Sequence, residues 1–202
     1  MKRLAVCAAL LVLAGCGQDK DEGISGGGNV IGKTVTVYSL TNDPGAKSRD
    51  FVDGEKLALS DAGGRAGPLS VNFTSLDLGG DDTATQAEAA RRAISDPQII
   101  AAIVDATKVT VPLFNAAGIL QVAPGGDRGL ARDPNLLPSG KQTVEAPSGN
   151  VPADFAAHFK KAIGRAPGDG AEDGYRSMAA VIAAIAKAGA AGNDRTRVIA
   201  SY

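Results

Sequence analysis

Six consecutive apolar residues, Ile99–Val104 (IIAAIV), lie between Asp96-Pro97 and Asp105, and they constrain the fold more than any other stretch. A run this short, bounded by turn residues, reads as a strand. Its lack of alternation means that both faces must be covered, as in the centre of a parallel sheet. The neighbouring segments supply the cover. Strands are expected at residues 34–40 (TVTVYSL), 69–76 (LSVNFTSL, with Val71, Phe73 and Ser75 on one face) and 119–123. Helices are expected between them. The first, 50–62, carries Phe51, Leu57 and Leu59 and stops at Gly63-Gly64. The second, 83–94, has Asp81 or Asp82 as its cap and Ala87, Ala90, Ala93 and Ile94 as a packing side; the third is 109–117, stopped by Gly118. Strict alternation of strand and helix predicts an α/β fold, a parallel sheet joined by right-handed βαβ crossovers.

The pattern then changes. Residues 125–149 are rich in Gly, Pro and Ser, sustain no apolar period, and read as loop or linker. Helices resume at 153–163 and at 174–187, where Met178, Val181, Ile182 and Ile185 form a stripe, and Asp194 is placed to cap a last turn at 195–201. Four strands therefore come first and helices alone come after. The GGRAGP run at 63–68 has the look of a dinucleotide loop, but it follows a helix and precedes a strand, the reverse of that motif. It reads as turn chemistry.

The first 15 residues are a positive start (Lys2, Arg3) and an apolar run too short for a comfortable membrane span, which fits an export signal. Leu13-Ala14-Gly15-Cys16 resembles the bacterial lipobox, which implies cleavage before Cys16, a diacylglyceryl thioether on its sulfur and acylation of the new amino group. Several acyl chains anchor a protein far more firmly than one. A plain export signal without lipid is the competing reading. Residues 16–31 are then a flexible tether and 32–202 a single lobe. Losing Lys2 and Arg3 moves the formal charge from −1 to −3, and no basic patch of nucleic-acid type remains. Cys7 leaves with the signal and Cys16 takes lipid, so neither of the two cysteines is left for thiol chemistry, and one histidine excludes a histidine-based metal cluster. Residues 27–34 match the phosphate-loop pattern G-x-x-x-x-G-K-[ST]. No strand precedes them, and the segment after them is a strand rather than a helix, so the match is accidental.

Several stretches together resemble a family. GEKLALSDAGGRAG (54–67), SLD (75–77), ARRAISDPQIIAAI (90–103) and NAAGILQVAP (115–124) are similar to the first lobe of type I periplasmic solute-binding proteins, closest in character to the branched-chain amino-acid branch. GRAPGDGAEDGYRSMAAVIAAIAKAG (164–189) resembles the helix that returns to that lobe, and GNDRTRVI (192–199) resembles the segment after that helix. The resemblance implies a periplasmic-binding-protein-like type I fold. Members are two-lobed clamshells, and residues 125–150 leave no room here for the second lobe, since each βαβ unit needs about 30 residues. Essentially one lobe is therefore expected.

In open α/β sheets ligands sit beyond the C-terminal ends of the strands. The candidate rim is Ser39, Leu40 and Thr41 after the first strand, Asp77 after the second, Asp105, Ala106 and Thr107 after the third, and Pro124, Gly125 and Gly126 after the fourth. The resemblance implies small hydroxyl residues and backbone N–H groups after the third strand, holding the carboxylate and amino groups of an amino acid. Thr107 fits that role or merely caps its helix. Asp105 departs from it, because an anion there repels a carboxylate and attracts an amine. Lys108 either offsets Asp105 or is a solvated surface lysine, and Asp77 has a competing reading as a turn cap.

The partners this implies are an amino-acid or small amide solute, an ABC permease, a second copy or separately encoded second lobe, and a membrane reached through the lipid; nucleic acid is not among them. Neither cofactor nor metal is expected. No serine lies in a G-x-S-x-G elbow, His158 belongs to an amphipathic helix rather than a triad, and the Asp81-Asp82 and Glu172-Asp173 pairs lie beside turns, so the chain is not read as an enzyme. Without an opposing wall the solute would be held weakly or not at all. The alternative is a truncated lobe serving protein interaction, or nothing.

Overall fold

A computed structural model describes residues 28–42, 45–138 and 142–202; the expected signal, Cys16 and most of the tether lie outside them. The central strand β1 (Thr34–Thr41) leads into α1 (Ala46–Asp61), then the two-residue β2 (Arg65–Ala66), β3 (Leu69–Asp77) and α2 (Thr83–Ile94). Next are the all-buried β4 (Ile99–Val104), α3 (Thr110–Ala116) and β5 (Leu120–Val122). Beyond them come a 3-10 turn (Arg128–Arg132), β6 (Val144–Glu145), α4 (Phe155–Ile163), α5 (Ala171–Ala188) and α6 (Arg195–Ser201). The sheet order is β2-β3-β1-β4-β5-β6, parallel throughout except for the β2–β3 hairpin.

Alternation along the strands sorts the core into two layers. Val35 and Val37 of β1, with Ala101 and Ile103 of β4, face Phe51 and Leu57 of α1, Phe155 and Phe159 of α4, Met178, Val181 and Ile185 of α5, and Val198 of α6. Tyr38 and Leu40, with Ala102 and Val104, face Ala89, Ala90 and Ala93 of α2 and Phe114 of α3. One irregularity breaks the alternation. Thr36 pairs with Ile99 but Val37 pairs with Ala101, so Ile100 is an extra residue, a bulge, and joins the same layer as Ala101.

Local signals placed several boundaries well. Asp82 caps α2, its carboxylate accepting from the backbone N–H groups of Ala84 (2.8 Å) and Thr85 (3.2 Å), and Asp194 caps α6 in the same way through Thr196 and Arg197. Other features differ from expectation. The sheet has six strands, not four, because β2 and β6 are two-residue pairings too short to leave a period in sequence. The 125–150 stretch is largely irregular, yet β6 adds to β5, and Ala131, Leu137 and Val144 pack on Ala106, Val111 and Ala123. Helix α1 starts at Ala46 rather than 50, since its polar first turn carries no apolar signal, and α5 starts at Ala171. The buried side of α2 is Gln86, Ala89, Ala90 and Ala93, rotated from the side expected. Asn29 and Val30, expected in the tether, are held to the lobe: Val30 N–H donates to the Asn193 carbonyl at 2.7 Å and Asn193 Nδ2 to that of Val30 at 2.8 Å.

Candidate functional site

The C-terminal ends of β1, β4 and β5 open into a cleft of about 230 Å³. Leu40, Thr41 and Asn42 enter it from β1, Ile103 and Asp105 from β4, and Pro124 and Gly125 from beyond β5. The opposite side is built by helix beginnings: Lys47, Ser48 and Phe51 of α1, and Gly170 and Asp173 at the start of α5. Phe51 and Ile103 make an apolar floor, and the polar groups stand around its edge. The volume is below the about 300–1,000 Å³ of most small-molecule pockets.

The loops after β4 and β5 are pressed together to form the strand side. Ala106 N–H donates to the Gly125 carbonyl (3.1 Å) and Asp127 N–H to the Ala106 carbonyl (2.9 Å). Gly126 has φ +76, and a Cβ there would fall 2.2 Å from the Ala106 carbonyl oxygen, so a glycine is required. Buried Gln121 ties the turn down from beneath, its Nε2 donating to the carbonyls of Val104 and Asp105 at 3.2 Å each. The Asp105 carboxylate rests against Gly125, where a Cβ would approach its Oδ1 to 2.8 Å.

The expected rim residues separate. Leu40, Thr41, Asp105, Pro124 and Gly125 line the cleft together. Ala106 is 2% exposed and contributes backbone only, through its bridge to Gly126. Thr107 is turned inward. Its Oγ1 accepts from the N–H groups of Val109 (3.2 Å) and Thr110 (3.1 Å) and lies 3.1 Å from Gln86 Oε1, so the hydroxyl caps α3 and ties it to α2. Asp77 is not in the cleft lining but in an adjoining depression that shares Thr41 and Ser48 with it, and it accepts from the Gly79 N–H at 2.8 Å, a turn cap. Lys108 is exposed and outside the cleft.

Ser39 is fully buried beneath the floor, facing Glu55 of α1, which is also fully buried. Among the described residues neither the Ser39 hydroxyl nor either Glu55 oxygen makes a hydrogen bond of good geometry, although the two side chains are close enough to interact. Burial pushes the Glu55 carboxyl well above its usual range, with the nearby Ser39 hydroxyl and, more weakly, Lys56 opposing. Burial therefore favours the protonated form of Glu55. Lys47, Ser48, Phe51, Gly170 and Asp173 were not legible as site residues, because helix beginnings carry no motif that distinguishes a lining residue from a solvated one; Asn42, just past β1, and Ile103, within β4, were not expected there either.

His158 stands elsewhere. Its Nε2 is 2.9 Å from both Asp61 oxygens, and the Tyr175 hydroxyl donates to Asp61 Oδ2 at 2.9 Å. This cluster joins α1, α4 and α5 at the end of α1 opposite the cleft, about 20 Å along the helix from Lys47. Among the described residues no group of three or more His, Cys, Asp or Glu could hold a metal ion, and no helix is long and apolar enough to cross a membrane.

No family model and no curated protein matches the sequence. Solved structures do match in fold. A solute-binding protein of an ABC transporter from Rhodopseudomonas palustris BisB5, in complex with 3,4-dihydroxybenzoic acid, superposes with a TM-score of 0.63 at 12% identity, covering 84% of this chain and 85% of that one. A branched-chain amino-acid ABC transporter protein from Rhodospirillum rubrum gives 0.60 at 14% identity, covering 83% and 88%. The periplasmic ligand-binding protein of a branched-chain amino-acid ABC transporter from Burkholderia xenovorans LB400 gives 0.57 at 13%, covering 83% and 82%. The chain has the fold of type I periplasmic solute-binding proteins.

Proposed function

We propose that this chain is a lipid-tethered, extracytoplasmic solute-binding lobe of the branched-chain amino-acid ABC transporter kind, serving a permease, and that it grips its solute weakly. The observation that carries the reading is the cleft itself. It lies beyond the strand ends, with an apolar floor and a polar edge, and it is walled by α1 and α5 on one side of a single sheet. A ligand there keeps much of its surface in water, and hydrogen bonds left wet contribute little. Among the described residues Ile31, at 92%, is the one large hydrophobic side chain that is exposed. No step of catalysis is assigned to the cleft.

Isothermal titration of the full chain with leucine, isoleucine and valine tests the reading. Dissociation constants of about 1 mM, worth about 4 kcal/mol, are expected. Micromolar or tighter binding would show that the ligand is enclosed from a second side and would overturn the weak-grip claim. For the anchor, labelling with a radioactive fatty acid in the producing cell should mark the wild type and not Cys16→Ser.

A further inference from the structure

The charged side chains around the cleft are not balanced. Two carboxylates, Asp105 and Asp173, line it against one cation, Lys47, leaving an excess of one negative charge. Asp173 has a local explanation in the first turn of α5, where a negative charge is favoured by the helix dipole. Asp105 has none. It is half-buried, and among the described residues no donor or cation pairs with its carboxylate; its backbone carbonyl alone is engaged, by Thr110 and Gln121. Asn42 lines the same cleft, and its Oδ1 is buried with no hydrogen-bond partner among the described residues. Two of the hydroxyls expected to serve an incoming carboxylate are withdrawn, since Thr107 caps α3 and Ser39 lies under the floor, while Thr41 and Ser48 remain in the lining.

We infer that the cleft recognises its solute by a positively charged amino group held by Asp105, and that a carboxylate on the solute is not required. The inference deepens the solute-binding reading above and rests on it. A half-buried carboxylate without a pairing donor offers an ammonium group a charge-assisted hydrogen bond. That group supplies three donors to meet the carboxylate oxygens. Lys47 is exposed at the rim and repels the same group more weakly, through solvent.

Three ligands with one carbon frame separate the possibilities in titrations of the full chain: leucine, isopentylamine (its frame without the carboxylate) and 4-methylpentanoate (its frame without the amino group). Isopentylamine should bind at least as tightly as leucine and about tenfold more tightly than 4-methylpentanoate, with affinity falling as salt is raised. Asp105→Asn, nearly isosteric, should abolish the preference for the amine. Lys47→Met, a change at an exposed position, should strengthen amine binding and serves if the first variant folds poorly. Equal or tighter binding of 4-methylpentanoate, or an amine preference that survives in Asp105→Asn, would overturn the inference and leave the solute-binding reading standing. Silence from all three ligands into the high millimolar range would end both.

Discussion

Gly54 of α1 and Gly174 of α5 are interlocked at a helix crossing: a Cβ on Gly54 would lie 2.0 Å from the Ala171 carbonyl oxygen, and one on Gly174 2.0 Å from that of Phe51. The two helices touch backbone to backbone. That contact sets Phe51 against Gly170 and Asp173 and so fixes the wall of the cleft.

Substituting either glycine by alanine should therefore destabilise the fold. Alanine is worth about 1 kcal/mol more than glycine inside a helix, but the added methyl meets backbone atoms that cannot rotate away. A net loss of about 2 kcal/mol in urea unfolding is expected for each variant. A stability equal to or above the wild type would show that the helices separate freely.

Glu55 makes stability depend on pH. Its folded carboxyl titrates well above the 4.5 of the free group, so between 4.5 and that higher value the folded chain keeps a proton the unfolded chain has lost. Stability from this group is complete below about 4.5 and declines as pH rises, by at most about 1.4 kcal/mol per unit. Glu55→Gln removes the titration. Unfolding curves measured between about pH 5 and pH 8 should show the variant gaining on the wild type as pH increases. Parallel trends would mean that water reaches the carboxylate.

Asp61 holds α4 and α5 onto the end of α1. The Tyr175 hydroxyl is pushed up to about 12, first by burial and then by its bond to Asp61 and that carboxylate's charge. In Asp61→Asn the phenolate should appear at lower pH in an ultraviolet titration while staying above 10, because burial persists. Loss of the charge-assisted bonds at this partly exposed site should cost about 1 kcal/mol.

Thr107 distinguishes a cap from a ligand group. Thr107→Ala should cost about 1 kcal/mol through loss of the α3 cap and leave the affinity for every solute unchanged. A matching drop in leucine affinity would place the hydroxyl in the cleft instead.

The order of strands and helices was readable because each depends on neighbours a few residues away. IIAAIV declares a strand covered on both faces, and Asp82 and Asp194 cap helices whose first turns they directly precede. Half of the cleft was readable for the same reason. Leu40, Asp105, Pro124 and Gly125 lie at or just past strand ends, and parallel strands bring their ends to one edge. Thr107 and Asp77 lie at strand ends as well, but a cap within reach of their own backbone claimed them.

By itself, then, the sequence determined which segments are strand and helix and where a parallel sheet must open, since the period of a side-chain pattern is written within a dozen residues. Tertiary structure alone decided that α1 and α5 form the other wall. Tyr175 and Asp61, which clasp the same two helices, are 114 positions apart. It also decided that Glu55 loses its water and that Ile100 slips out of register. These outcomes depend on what lies opposite each residue after the chain has closed on itself, and a one-dimensional pattern holds no record of that.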